Sequence, residues 1–264
     1  MAKEFHIKDN YDIDDLISIV ALLRAPGGCP WDAEQTHQSI KANFIEETYE
    51  VVEAINKNNP DMLREELGDI LLQVALHTQI EQEKGSFTFN DVANDIVKKL
   101  VVRHPHVFSD ETVDGVAQAL NSWDAVKLKT KGQKTQSESM LSVPKELPAL
   151  MRAQKVQKKA AKVGFDWDSA DGAFDKMYEE LDELKIAMTE DDASHIEEEL
   201  GDVLFSAVNI ARFLKLDSEE ALTRATDKFV ARFQKVEQMA AEQGIDMKSA
   251  SPKELDRLWN IAKK

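Results

Sequence analysis

The sequence predicts an all-α protein made of a duplicated helical-bundle domain, and three observations carry that prediction. Glycine and proline are scarce, at 10 and 7 of 264 residues, while Glu, Lys, Ala and Leu abound; such a composition favours helices over a sheet built on many turns. Apolar residues recur with the helical period through most of the chain. The chain is also written twice: "REELGDILLQVA" (Arg64 to Ala75) returns as "EEELGDVLFSAV" (Glu197 to Val208), 133 positions later.

The periodicity places helices at about 13–24, 38–57, 61–84, 90–102 and 116–128 in the first copy. In the second copy it places them at about 147–162, 171–188, 191–214, 218–242 and 252–262. "PGGCPWD" (Pro26 to Asp32) reads as a loop, and "NKNNPD" (Asn56 to Asp61) and "MTEDDA" (Met188 to Ala193) as short helix-helix turns. Long helices joined by such turns pack antiparallel.

The repeat extends well beyond one hexapeptide. "FIEETYEVVEAI" (Phe44 to Ile55) aligns with "MYEELDELKIAM" (Met177 to Met188), and a Trp-Asp pair precedes each (Trp31-Asp32, Trp167-Asp168). Each is followed by a Lys/Arg pair at i, i+4 (Lys99 and Arg103; Lys228 and Arg232). Near the end of each copy stands a tryptophan with a lysine four residues on (Trp123 and Lys127; Trp259 and Lys263). Order is kept throughout, which chance does not explain. Between the copies, "KTKGQKTQSESMLSVPKELP" (Lys129 to Pro148) is polar and carries two prolines, so it reads as a linker. The expected organisation is an N-terminal helical domain over 1–130, a linker over 131–146 and a C-terminal helical domain over 147–264.

The formal charge of −16 counts against a nucleic-acid partner, since such proteins draw their affinity from clustered Lys and Arg. A single cysteine, Cys29, rules out an intrachain disulfide and fits a reducing compartment. The opening "MAKEFHIKDN" lacks the apolar run of a signal peptide, and no stretch is apolar enough to cross a membrane, so a cytoplasmic protein without a membrane partner is expected.

An interior glycine, Gly68 or Gly201, weakens each glutamate-rich helix by about 1 kcal/mol relative to alanine, which draws attention to its neighbours. With Glu199 at zero on a helical wheel, Ile196, Leu200, Val203, Leu204 and Ala207 fill an apolar arc from roughly 40° to 140°, and Asp202 falls near 300°. Glu199 and Asp202 therefore share a face at the border of the core stripe, while Glu197 and Glu198 point to solvent. The preceding helix sets Glu180 and Glu183 at i, i+3 beside Met177, Leu181 and Leu184. Four carboxylates from two antiparallel helices can thus converge, and the first copy supplies the same tetrad in Glu47, Glu50, Glu66 and Asp69. So many anions repel unless a cation matches them, and oxygen-only ligands suit Mg²⁺, with Mn²⁺ as a substitute. Gly201, away from the stripe, is expected to admit a neighbouring helix or subunit closely.

A di-iron bundle would need Glu-x-x-His on each of two helices, and the fourth position here is Asp in both copies. No phosphate-binding G-x-x-x-x-G-K-[ST] loop, G-x-S-x-G elbow or cysteine-based zinc spacing is present. His104 and His106 in "RHPHVF" read as a helix end. Protein-held Mg²⁺ usually binds substrate phosphates too, so Lys176, Lys228 and Arg232 are candidate phosphate contacts, and Trp259 is a candidate stacking platform for a base. Each has a plainer reading as an ion-pair partner or core residue.

The motifs E-E-x-x-E and E-x-x-D (Glu46, Glu47, Glu50, Glu66, Asp69; Glu179, Glu180, Glu183, Glu199, Asp202) resemble the signature of the MazG nucleoside triphosphate pyrophosphohydrolases. With "GCPWD", "ETYEV", "ELGD", "VRHPHVF", "LPALMRAQK" and "VGFDW", the chain resembles the tandem two-domain members along almost its whole length. The resemblance implies Mg²⁺-dependent cleavage of nucleoside triphosphates between the α and β phosphates, giving NMP and pyrophosphate with broad base choice, by a homodimer. It implies that both tetrads are metal ligands, that Lys176, Lys228 and Arg232 steady the leaving pyrophosphate, and that Glu179 is a candidate general base. Lys176 corresponds to Asn43 in the first copy, which points to the second copy as the main catalytic one. Two other readings stand beside it: a non-catalytic nucleotide sensor with a degenerate site, against which the intact acids of both copies argue, and a narrow dUTPase-like or dCTPase-like pyrophosphatase, which shares the same acids.

Overall fold

A computed structural model describes residues 5–109, 114–115, 135–190 and 192–263. Every regular element among them is a helix. The expected helix at 116–128, with Trp123 and Lys127, lies outside the described residues. The chain forms two compact units, Met1–Lys127 and Leu128–Lys264.

In the first unit, α1 (Ile13–Arg24) starts at Asp12, whose carboxylate accepts from the backbone of Asp14 and Asp15 and closes a capping box. The "PGGCPWD" stretch is a loop only in part, because Pro30 opens a short helix, α2 (Pro30–Glu34). Then follow α3 (Lys41–Asn56), α4 (Pro60–Glu83), α5 (Phe89–Arg103) and α6 (Pro105–Phe108). Asn58 turns the chain between α3 and α4 with φ of 50°, and the Asn59 side chain caps α4. So short a connection forces an antiparallel hairpin. Val20, Ile40, Ala75, Leu76 and Ile80 form the core, with Leu16, Ile19 and Leu72 against it.

The far end of α4 straps down the loop before α3. Arg24 pairs with both oxygens of Glu83 at 2.9 Å and also donates to the carbonyls of Asp32 and Gln35. His37 reaches His77 (Nδ1 to Nδ1, 2.7 Å) and Glu81 (2.7 Å). His104 caps the end of α5 through Leu100 O, in keeping with its reading as a helix end.

The second unit opens with a six-residue helix, α7 (Gln136–Leu141), inside the stretch expected as linker. Thr135 and Glu138 form its capping box, Ser139 is buried, and Lys159 donates to Ser139. Next come α8 (Ala149–Ala161), α9 (Ala170–Glu190), α10 (Ala193–Phe213), α11 (Ser218–Glu242) and α12 (Pro252–Ala262). α9 and α10 repeat the hairpin of α3 and α4, with Asp192 capping α10. The indole of Trp167 lies over the first turn of α9, where a Cβ on Gly172 would meet its Cδ1 at 2.5 Å. Val236, Ala240, Leu258 and Ala262 form a second core where α11 meets α12.

The apolar arc of α10 is only partly covered. Ser206, Val208, Asn209 and Ile210 are buried, whereas Leu200 and Leu204 remain about half exposed at 48% and 50%. A Cβ on Gly201 would meet nothing within 4 Å, so no helix of this unit approaches it closely. The expectation of a tight helix contact there does not hold within the unit. Gly201 instead floors an open groove between α8 and α10, beside Leu204 and Phe205.

Candidate metal centre

Each hairpin brings carboxylates from both of its helices to one point. In the second unit, oxygens of Glu180, Glu199 and Asp202 lie within 4.8 Å of one another; in the first, those of Glu47, Glu66 and Asp69 do the same. The remaining member of each tetrad sits alongside. Glu50 is in hydrogen-bonding reach of Glu47 and Glu66, and Glu183 of Glu180. The i, i+3 spacing on each helix stacks two acids on one face, and the antiparallel hairpin turns those faces together. Glu197 and Glu198 are exposed, as the wheel predicts.

The electrostatics show crowded negative charge. Burial, then Asp69 and Glu50, push the Glu47 carboxyl above its ordinary range. Burial and then Glu50 do so for Glu66, and the hydrogen bond with Glu180, followed by burial, for Glu183. Glu199 Oε2 is buried without a hydrogen-bond partner, an expensive state for a carboxylate oxygen. An all-oxygen set with an orphaned buried oxygen fits a hard divalent cation.

The two centres differ in the cations that the chain itself supplies. Lys176 reaches Glu179 at 2.6 Å and Glu180 at 2.8 Å, and these two carboxylates raise its pKa. Glu179 is exposed and lies outside the three converging acids. His195, which the sequence reading did not single out, bridges Glu190 (Nδ1, 2.8 Å) and Glu199 Oε1 (Nε2, 3.2 Å). Glu190 and then Glu199 raise its pKa. The signal was present as an i, i+4 His-Glu spacing, but the repeat hid it, since the matching position of the first copy is Met62.

Lys228, Arg232 and Trp259 are not joined to the tetrad by any hydrogen bond or ion pair among the described residues. Lys228 is exposed and Arg232 half-buried on α11. Trp259 packs against the α11–α12 core, its ring 5.1 Å from that of Phe229.

Fold and site together define a tandem all-α protein with one carboxylate centre in each of two helical units. The pattern of the MazG nucleotide pyrophosphohydrolase domain matches it twice, over residues 35–108 and 171–237. The chain is 45% identical over 250 residues to the Thermotoga maritima nucleoside triphosphate pyrophosphohydrolase/pyrophosphatase MazG, covering 95% of both chains. It is 44% identical over 255 residues to the Escherichia coli nucleoside triphosphate pyrophosphohydrolase, covering 96% of this chain and 97% of that one. It is also 49% identical over 249 residues to the uncharacterized protein YabN of Bacillus subtilis, which spans 93% of this chain and 50% of that protein. The chain belongs to the MazG nucleotide pyrophosphohydrolase family.

Proposed function

We propose that this protein hydrolyses nucleoside triphosphates to nucleoside monophosphate and pyrophosphate, with broad base choice and with its second unit as the main catalytic one. The observation that carries this reading is the convergence of Glu180, Glu199 and Asp202 around a partnerless buried oxygen, in a chain of this family. Glu180, Glu183, Glu199 and Asp202 would hold Mg²⁺, or Mn²⁺ in its place, and Glu47, Glu50, Glu66 and Asp69 would do so in the first unit. The bound cation supplies neutralisation of triphosphate charge and polarisation of a water.

The chain's own groups do the rest. Lys176 rests on Glu179 and Glu180, so its ammonium is poised beside the acids and can move to a phosphate oxygen. Releasing Lys176 frees the Glu179 carboxylate to accept a proton from the attacking water. Lys228 and Arg232 stand one turn apart on α11, a spacing that suits phosphate oxygens, and the half-buried ring of Trp259 offers a face to a base. Exposed Leu200, Leu204 and Phe205 on α10, with Phe229 and Val230 on α11, support a homodimer. The composition and Cys29 suit the cytoplasm.

The test is a panel of NTPs and dNTPs with Mg²⁺, scoring NMP plus pyrophosphate against NDP plus phosphate. Glu180→Ala or Asp202→Ala should abolish pyrophosphate release, and Glu47→Ala should leave most of it. The reverse pattern refutes the assignment of units, and absence of metal-dependent hydrolysis puts a nucleotide sensor ahead.

A further inference from the structure

At the turn between α10 and α11, remote from the acids, Lys158, Arg212 and Lys215 line one cavity of about 330 Å³ with Gln154, Leu216 and Asp217. Three cations gathered at one place in a chain of net charge −16 call for a physical reason. Arg212 is already matched, since its guanidinium grips both oxygens of Asp166. The Asp217 carboxylate is committed to the backbone of Glu220, where it caps α11. The ammonium groups of Lys158 and Lys215 have no hydrogen bond or ion pair among the described residues, so the cavity keeps net positive charge even with the Asp217 and Asp166 carboxylates counted. Arg212 lies about 15 Å along α10 from Asp202, counting about 1.5 Å per residue.

The turn itself supplies an independent observation. α10 ends with Leu216 N donating to Ala211 O and Lys215 N to Arg212 O; α4 ends in the same pattern, with Ser86 N donating to Glu81 O and Gly85 N to Gln82 O. The first unit places Gly85 at the left-handed position, φ 73°, whereas the second places Lys215 there at φ 58°. A lysine in that conformation is strained where glycine is not, so the protein carries a destabilising side chain at a point where its own repeat does without one. The floor beneath is rigid: buried Gln154 donates to Leu216 O and accepts from the Ser218 backbone and hydroxyl.

We propose that this cavity is a binding site for a phosphate-type anion, held between the ammonium groups of Lys158 and Lys215 and the edge of Arg212, separate from the carboxylate centres. Free phosphate, pyrophosphate and the phosphate of a nucleotide share the chemistry that such a cradle recognises.

The test is isothermal titration of the metal-free full chain with inorganic phosphate, pyrophosphate and AMP in turn, so that no cation bridges these anions to the acids. Lys158→Gln removes one charge from an exposed helix position. Lys215→Asn removes the other and keeps the turn, because Asn58 holds the same left-handed conformation after α3. The expected result is binding of at least one anion, weakened fivefold or more by each substitution; the anion bound most tightly identifies the source. Absence of binding by all three, or unchanged affinity in either variant, overturns the proposal.

Discussion

Replacing His195 with Met, the residue at the matching position 62 of the first unit, should loosen divalent metal at the second centre. His195 stands between Glu190 and Glu199 and fixes one oxygen of Glu199, leaving Oε2 free and buried. Removing a group that orients a metal ligand typically weakens metal about 10- to 100-fold. The Glu199 contact is long at 3.2 Å, which argues for the low end, about tenfold or ~1.4 kcal/mol. A second effect opposes it. Protonated His195 is a cation beside the acids, and its loss removes a competitor of the metal. Both carboxylates only accept, so the bridge needs both ring N–H groups, that is, the protonated imidazole; the raised pKa keeps it in place through mild acid, and at alkaline pH the Glu199 contact fades with the charge, so the variant's deficit should shrink toward pH 9. The assay is Mn²⁺ titration calorimetry in an Asp69→Asn background, where only the second centre is intact. An affinity unchanged at every pH, or a deficit that grows toward alkali, refutes the positioning role.

Three further outcomes are expected. Glu47 and Glu66 have folded pKa values above the ordinary 4.5, so their contribution to stability is full below that value and is lost as pH rises through the raised ones. In urea unfolding of the metal-free chain, raising the pH above 4.5 should therefore cost stability that Glu47→Gln or saturating Mg²⁺ restores; identical profiles with and without the substitution would sink this account. Leu258→Ala, at a side chain 0% exposed in the α11–α12 core, should lower the unfolding free energy of the second unit by about 2–5 kcal/mol. Gly172→Ala drives a methyl into the Trp167 indole, so Trp167 must move, and both its fluorescence and the thermal midpoint should change; an unchanged spectrum would show that the contact is dispensable.

The tetrads were legible because two signals coincide in them, i, i+3 spacing on one helix and recurrence 133 residues later. Where one signal was missing, reading failed. His195 has no counterpart in the first copy, so recurrence pointed away from it. α7 is too short for any period to show, and its only sign was the Thr135–Glu138 capping box. The wheel gave the direction of Leu200 and Leu204 but not what covers them, since amphipathicity records only that a face is apolar. The place of Gly201 on the wheel predicts close packing, yet it borders an open groove. The basic residues on α11 show the same limit from the other side: sequence order gives their spacing, and their relation to the acids depends on tertiary packing.

The hairpins carry a consequence for how this chain is made. Each acid centre is assembled from two helices adjacent in sequence, so its contacts are local and form early, with little loop entropy to overcome. A duplicated chain risks pairing a helix of one copy with its homologue in the other. Here α4 is complete before any of α9 is synthesised. The 133-residue offset amounts to roughly 7–27 s at about 5–20 residues per second. The first centre can close before its rival helices exist, and the order of synthesis protects the correct pairing in a way that refolding of the full-length chain from denaturant does not.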